Sequence, residues 1–297
     1  MKHFLDIADH SPEELKELLN SALALKKEWK SGGSKPMLKG KVLGMLFEKP
    51  SLRTRVSFDI AMRHLGGDAL YLSPAEVGLG KREAISDVAR VLSRYVQAIM
   101  VRTFAHHNVL ELAKHASVPV INGLSDYSHP CQALADALTI LEHKGALEGL
   151  KLAFVGDGNN VATSLAHISA KLGMQFVAAS PHRYELPADI AKSTGAILAA
   201  SPAEAVQNAS VIYTDAWTSM GDETEAAERK KAFALYQVNA ELLNGAKKDA
   251  IIMHCLPAHR GEEITAEVMD GPQSVVFDQA ENRVHAQKAI LVKLLLD

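Results

Sequence analysis

The sequence predicts an α/β protein made of two open parallel-sheet domains, with helices on both faces of each sheet and the active site in the cleft between them. Three observations carry that expectation. Short β-rich runs alternate with helical patterns along almost the whole chain, and strands separated by helices pair in parallel with both faces covered. At 297 residues, 47% of them hydrophobic, the chain exceeds the usual size of one domain and holds enough apolar material for two cores. The alternation pauses once, where Gly145 to Gly149 break the chain between a long helical pattern and a fresh strand. The boundary is placed there, giving a first domain over 1–147, a second over 148–282 and a C-terminal helix over 283–297 that packs back on the body.

The elements follow in order. Ser11-Pro12-Glu13-Glu14 reads as a capping box with proline at the first helical position, and Leu15, Leu18, Leu19, Ala22 and Leu23 trace one face of the helix behind it. Strands are expected at Val42–Phe47, 69–72, 98–103, 118–121, 152–155, 176–179, Val211–Thr214, 251–256 and 275–277. Helical periodicity over 56–65 closes on Gly66-Gly67, a second pattern runs over 130–143, and an amphipathic pattern over 282–296 ends the chain. Open parallel sheets bind ligands beyond the C-terminal ends of their strands, so residues at those ends are the candidates for chemistry.

Several classes of function are excluded at this level. No apolar run approaches the ~18 residues that cross a membrane, and the N-terminus lacks the layout of a signal peptide. A net charge of −3 with a pI near 6.5 gives no electrostatic case for nucleic acid. The two cysteines, Cys131 and Cys255, are too few for a disulfide framework, and a cytoplasmic location is expected.

The most informative segment is Phe47-Glu48-Lys49-Pro50-Ser51-Leu52-Arg53-Thr54-Arg55, where a buried strand runs through a turn rich in hydroxyls and guanidiniums into a helix. Exposed N–H groups and the positive end of the helix dipole point at an anion there, and a guanidinium chelates two of its oxygens. Polar groups also stand at later strand ends. They are Arg102, the stretch from Asn122 to Gln132 with Asp126 and His129, Asp215, and His254-Cys255-Leu256-Pro257. Gly156-Asp157-Gly158-Asn159-Asn160 invites a dinucleotide reading. The third glycine position is Val161, however, and no acid lies about 20 residues on to hold a ribose, so a structural turn with Asn160 facing a small ligand is the better reading. His254, Cys255 and His259 lack the paired spacing of a structural zinc site, and no metal is expected. His106 and His107 read as solvent-facing loop residues, Cys131 as a small core side chain, and Cys255 either as a buried strand residue or as a cleft residue.

Taken in order, these motifs resemble the aspartate/ornithine carbamoyltransferase family over nearly the whole length. They are Ser51-Leu52-Arg53-Thr54-Arg55, Arg102, His129-Pro130-Cys131-Gln132, Asp157-Gly158-Asn159-Asn160, Asp215 through Gly221, His254-Cys255-Leu256-Pro257 and Arg283. Aspartate-using members have Pro-Leu-Pro in place of Cys255-Leu256-Pro257 and lack Ser219-Met220-Gly221, so the resemblance points to the branch that uses free ornithine. It implies binding of carbamoyl phosphate by Ser51, Leu52, Arg53, Thr54, Arg102, His129, Pro130, Cys131, Gln132, Cys255, Leu256 and Arg283. It implies that Asn160, Asp215, Ser219 and Met220 grip ornithine, and that Arg102, His129, Asp215 and Cys255 serve catalysis. The implied reaction is attack of the ornithine δ-amine on carbamoyl phosphate, giving citrulline and phosphate, in arginine biosynthesis or ornithine metabolism. No cofactor is implied, and a homotrimer or a multiple of trimers is.

Two positions depart from the family pattern. Leu52 stands where Thr or Ser is usual, which costs little if only its backbone N–H is used and weakens phosphate binding if a hydroxyl is needed. Gly78 stands where a Gln or His often reaches a neighbouring subunit, a contact that Lys81 or Arg82 is placed to replace. Two alternatives compete with this reading. One is a sister transferase acting on putrescine or lysine; an amine lacking the α-carboxylate leaves Asp215, Asn160 and the Ser219-Met220 backbone without partners, which argues against putrescine. A non-catalytic regulator is disfavoured by the presence of Arg53, Arg102 and His129.

Overall fold

Residues 1–218, 221 and 223–296 are described by the computed structural model. The chain divides into two units, 1–138 with 281–297 and 139–280, and it passes between them inside helices.

The first unit holds the parallel strands β1 (Val42–Phe47), β2 (Asp68–Leu72), β3 (Ala98–Arg102) and β4 (Val120–Leu124) in the order β2-β1-β3-β4. Its helices are α1 (Pro12–Lys30), α2 (Leu52–His64), α3 (Pro74–Val77), α4 (Ile85–Leu92), α5 (His106–His115) and the start of α6 (Pro130–Lys144). β1 and β3 are buried almost throughout, as expected of apolar runs covered on both faces. Leu46, Val88, Ile99, Val101, Val109 and Leu112 share one core cluster. Phe4 lines the outer edge of β4, donating to Val120 O at 2.9 Å and accepting from Asn122 N–H at 2.8 Å, so that edge is not left bare.

The capping box at α1 is present, with Glu14 N–H donating to Ser11 Oγ and Ser11 N–H to the Glu14 carboxylate. The helix expected from residue 56 instead begins at Leu52, and the polar turn before it is its first turn. α2 ends at Gly66, whose φ of +78° and whose approach to Pro36 leave no room for a side chain; a Cβ would stand 2.5 Å from Pro36 Cβ.

The C-terminal helix, numbered α13 (Val276–Leu296), returns to this unit from Glu281 onward. Lys26 donates to Asn282 at 2.8 Å, and Lys288 donates to Leu25 O at 3.1 Å and Ser34 Oγ at 3.2 Å. His285 is 2% exposed, and burial together with Lys288 and Lys26 pushes its pKa down to about 4. The unfolded chain therefore binds a proton that the folded chain refuses between that value and the ordinary one near 6.5. Stability should rise with pH across this window and be lost as pH falls through it, by about 1–3 kcal/mol from this group. Urea titrations at pH 7 and pH 5 on the parent and His285→Gln check it, because the variant should lose less stability between the two.

The second unit holds β5 (Lys151–Val155), β6 (Gln175–Ala179), β7 (Ile197–Leu198), β8 (Val211–Thr214) and β9 (Ile251–His254), all parallel, in the order β7-β6-β5-β8-β9. With them are α7 (Asn160–Leu172), α8 (Ala188–Thr194), α9 (Pro202–Val206), α10 (Ala226–Ala232), α11 (Ala240–Leu243), α12 (Ala266–Met269) and the first turn of α13. Ala153, Val155, Val177, Ile212, Ile252 and Val276 lie in its core.

Three expectations need correction here and in the first sheet. The strand expected at 275–277 is a single bridge between Ser274 and Ile252, after which α13 starts at Val276; the β-branched pair Val275-Val276 misled the period. β7 went unforeseen because it is a two-residue edge strand with both side chains exposed. The strand expected at 118–121 sits later, at Val120–Leu124, and that expected at 251–256 ends at His254 because Leu256 takes a left-handed φ of +60°.

Candidate active site

In each sheet the strand order reverses once. The reversal lies between β1 and β3 in the first sheet and between β5 and β8 in the second. Loops leaving two such strands diverge and open a crevice between them. The segment after β1, Arg102 at the end of β3, Asn160 after β5 and Asp215 after β8 flank these two points, whereas His129, Cys255 and Arg283 come from the turn before α6, the end of β9 and α13.

In the first unit, Ser51 caps α2 by accepting from Thr54 N–H at 3.3 Å. Leu52, the first helical residue, is 75% exposed. Thr54 is fully buried and its hydroxyl gathers two guanidiniums, accepting from Arg102 at 3.2 Å and from Arg283 at 3.0 Å. Arg283, itself buried, also donates to Gln132 Oε1 at 2.5 Å and lies 3.5 Å from His129 Nε2. Gln132 in turn donates to Asp136 at 2.8 Å, which fixes which of its amide atoms is the acceptor facing Arg283. Side chains from β3 and α13 thus meet at one hydroxyl of α2, and Arg283 ties that meeting to Gln132 of α6.

Burial, then Arg283, Arg102 and Arg53, hold the His129 pKa well below its ordinary value. The imidazole is neutral at neutral pH, and because a guanidinium only donates, Nε2 is its acceptor and Nδ1 carries the proton. Three cations felt by one buried ring make this an anion-attracting site that offers N–H donors.

Pro130 opens α6, while Cys131 is turned into the core and donates to Asn122 O at 3.3 Å. Burial pushes its thiol up to about 12, so it stays protonated. His106 departs from the solvent-facing reading. It is half-buried at the start of α5, its N–H donates to Asp126 at 2.8 Å and its Nδ1 meets Ser125 Oγ at 2.8 Å, whereas His107 is exposed. Gly78 ends α3 at a φ of +55°, and Arg82 turns back to donate to Glu76 O at 3.0 Å.

In the second unit, Asp215 follows β8 and is 9% exposed. Its Oδ2 accepts from Asn159 Nδ2 at 2.9 Å, and its Oδ1 accepts from the Cys255 thiol at 3.0 Å and from Ala216 N–H at 2.8 Å. Asn159 also caps α7, its Oδ1 accepting from the N–H groups of Val161 and Ala162, so it cannot turn round without losing both bonds. Asn160 is the first residue of α7. Cys255 is half-buried just after β9, so it is not the fully buried strand residue that the sequence also allowed. Leu256 N–H donates to His254 Nδ1 at 2.8 Å, leaving His254 Nε2–H to donate to the buried Glu263 at 3.1 Å. Both ring nitrogens of His254 are thereby engaged. Ser219 and Met220 lie outside the described residues.

The glycine-rich turn is structural. A Cβ on Gly158 would stand 2.3 Å from Leu186 N, so the closeness this glycine allows is spent on the 185–186 backbone rather than on a pyrophosphate. Two residues of this region were not foreseen. Asn159 carries only the ordinary signal of a helix cap. Arg229 sits in the run Glu228-Arg229-Lys230-Lys231, which reads as a solvated face. It donates to Asp157 Oδ2 at 2.7 Å and to Trp217 O at 3.1 Å.

Comparison with known proteins finds relatives over both halves of the chain. Residues 2–142 match the family model "Aspartate/ornithine carbamoyltransferase, carbamoyl-P binding domain", and 148–294 match "Aspartate/ornithine carbamoyltransferase, Asp/Orn binding domain". The chain is 56% identical to the ornithine carbamoyltransferase of Halalkalibacterium halodurans, over 99% of this chain and 95% of that protein. It is 54% identical to the ornithine carbamoyltransferase of Pyrococcus abyssi, over 99% and 96%. The solved structure of ornithine carbamoyltransferase from Pyrococcus furiosus superposes with a TM-score of 0.96 at 52% identity, covering 99% of this chain and 97% of that one.

Proposed function

Because this chain belongs to the aspartate/ornithine carbamoyltransferase family, we propose that it transfers the carbamoyl group of carbamoyl phosphate to the δ-amine of L-ornithine, giving L-citrulline and phosphate. The observation that carries this reading is the convergence of Arg102 and Arg283 on the Thr54 hydroxyl, with Gln132 and His129 held against Arg283.

Carbamoyl phosphate takes its place on the first unit. The N-terminal turn of α2 (Ser51, Leu52, Arg53 and Thr54) receives the phosphate, with Arg283 behind it. Arg102 and the neutral His129 face the carbamoyl oxygen, with Gln132 and the backbone of Pro130 and Cys131 beside it. On the second unit, Asn160 and Asp215, with Ser219 and Met220, hold the α-amino and carboxylate end of ornithine. Asp215 and Cys255 orient the δ-amine, and Leu256 presents backbone to the carbamoyl group. Attack on the carbonyl carbon gives a tetrahedral oxyanion. Preorganised guanidinium and imidazole donors stabilise that charge as it develops, and phosphate then leaves. Nδ1–H of a neutral ring donates to an oxyanion without itself being an acid that titrates near pH 7. The δ-amine attacks only when neutral and carries a lysine-like pKa near ~10.4, so the rate should rise with pH. A homotrimer acting in arginine biosynthesis in the cytoplasm completes the reading.

The direct test measures citrulline, or the corresponding product, with ornithine, putrescine, lysine and N-acetylornithine side by side. Ornithine should exceed each of the others by at least a hundredfold in kcat/KM. Equal or better use of putrescine would assign the enzyme to an amine without the α-carboxylate.

A further inference from the structure

We propose that Arg229 is a positioning residue for the amine substrate, acting through the segment that leaves β8. This rests on the function proposed above. A single nitrogen, Nη1, donates both to Asp157 Oδ2 at 2.7 Å and to Trp217 O at 3.1 Å. Nε donates to Glu225 at 3.1 Å, and the guanidinium lies 4.8 Å over the Tyr184 ring. The Arg229 and Asp157 side chains are 11% and 12% exposed, so the pair is far less screened than a surface ion pair.

The geometry links the turn after β5 to the backbone after β8 at a second point. The first link is Asn159 to the Asp215 carboxylate. The second is Asp157 through Arg229 to the carbonyl of Trp217, two residues farther along. Trp217 is also held by its ring, which stacks on Phe233 at 5.9 Å, and Phe233 packs on Tyr184 at 4.9 Å. Arg229 therefore fixes a backbone group where the side chain of Asp215 is fixed by others. Without Arg229 the Asp215 carboxylate keeps Asn159, Cys255 and Ala216, while the backbone beyond it loses its polar anchor. Placement of the amine substrate suffers and the reacting geometry is retained, which separates KM from kcat. A lysine keeps a donor for the two oxygens but loses the Nε bond to Glu225 and the planar stack on Tyr184 that hold that donor in place.

Steady-state kinetics on Arg229→Ala, Arg229→Lys and Asp157→Asn test this. Arg229→Ala should raise the ornithine KM at least tenfold, with kcat within threefold of the parent and the carbamoyl phosphate KM unchanged. Arg229→Lys should fall between the two, and adding Asp157→Asn to Arg229→Ala should cost less than the two changes apart, because both break one linkage. If the alanine variant does not fold, the lysine variant carries the test, with a threefold or larger rise in ornithine KM alone as the supporting result. An unchanged ornithine KM, or equal rises in both Michaelis constants, overturns the inference. Parent enzyme that forms no citrulline overturns the function itself, and this inference with it.

Discussion

Replacing Arg283 with alanine should abolish useful binding of carbamoyl phosphate. Arg283 is 3% exposed and its guanidinium donates to Thr54 and Gln132, with His129 3.5 Å away, so it organises the cluster in addition to its proposed contact with the ligand. Truncating one partner of a desolvated charged pair costs roughly 2–5 kcal/mol, which is on the order of 30- to 4,000-fold in affinity. Gln132 loses the bond that holds its amide oxygen inward, which argues for the upper part of that range. A second readout follows from electrostatics. Arg283 is, after burial, the largest cause of the lowered His129 pKa, so in the variant that pKa should move up toward its ordinary value. More of the ring is then protonated as pH falls, and any residual activity should decline at a higher pH than in the parent. Calorimetry with carbamoyl phosphate and an NMR titration of His129 check the two effects. A near-native dissociation constant would place the phosphate elsewhere, and an unmoved His129 titration would contradict the geometry.

Much of this site was legible because its parts are local. The segment 47–55 joins a buried strand, a Ser cap and the guanidiniums within a single βα turn, and the structure needed only to move the helix start back to Leu52. Likewise Arg102, Asp215 and Cys255 stand at strand ends that the apolar runs already marked. What pattern reading missed is set by distant contacts. Arg229 has the local sequence of a solvated helix, and only the fold brings it to Asp157, 72 positions away. The buried polar face of α13, with His285 and Lys288 packed toward α1, reads in sequence as an ordinary amphipathic helix. Leu256 has a strand-like apolar character, whereas its φ is +60° and its N–H turns back to His254 Nδ1, neither of which a local pattern carries.

The amine side should respond most to Asp215→Asn, and much less to Cys255→Ser. Each carboxylate oxygen of Asp215 accepts: Oδ2 from Asn159, Oδ1 from the Cys255 thiol and Ala216 N–H. An asparagine must put an NH₂ against one of these donors. Facing Asn159, it meets a group that cannot flip, because Asn159 Oδ1 is held by two N–H groups of α7. Facing Cys255, it meets both a thiol and a backbone N–H. Either orientation buries opposed donors and removes the charge that orients the amine. Together these should lower kcat/KM for ornithine by roughly 2–5 kcal/mol, on the order of 30- to 4,000-fold, with carbamoyl phosphate binding unchanged. A serine at 255 still donates to Asp215, and more strongly than a thiol does, so turnover should persist at reduced efficiency with altered selectivity among amines. Direct attack by the amine also requires sequential kinetics in both variants and in the parent. If Cys255 were the nucleophile, a carbamoylated thioester would form from carbamoyl phosphate alone, giving a burst and ping-pong patterns, and the serine variant would lose nearly all activity. Mass spectrometry of the parent with carbamoyl phosphate separates the two, since an adduct on Cys255 consumed at the turnover rate would reverse the assignment of both residues.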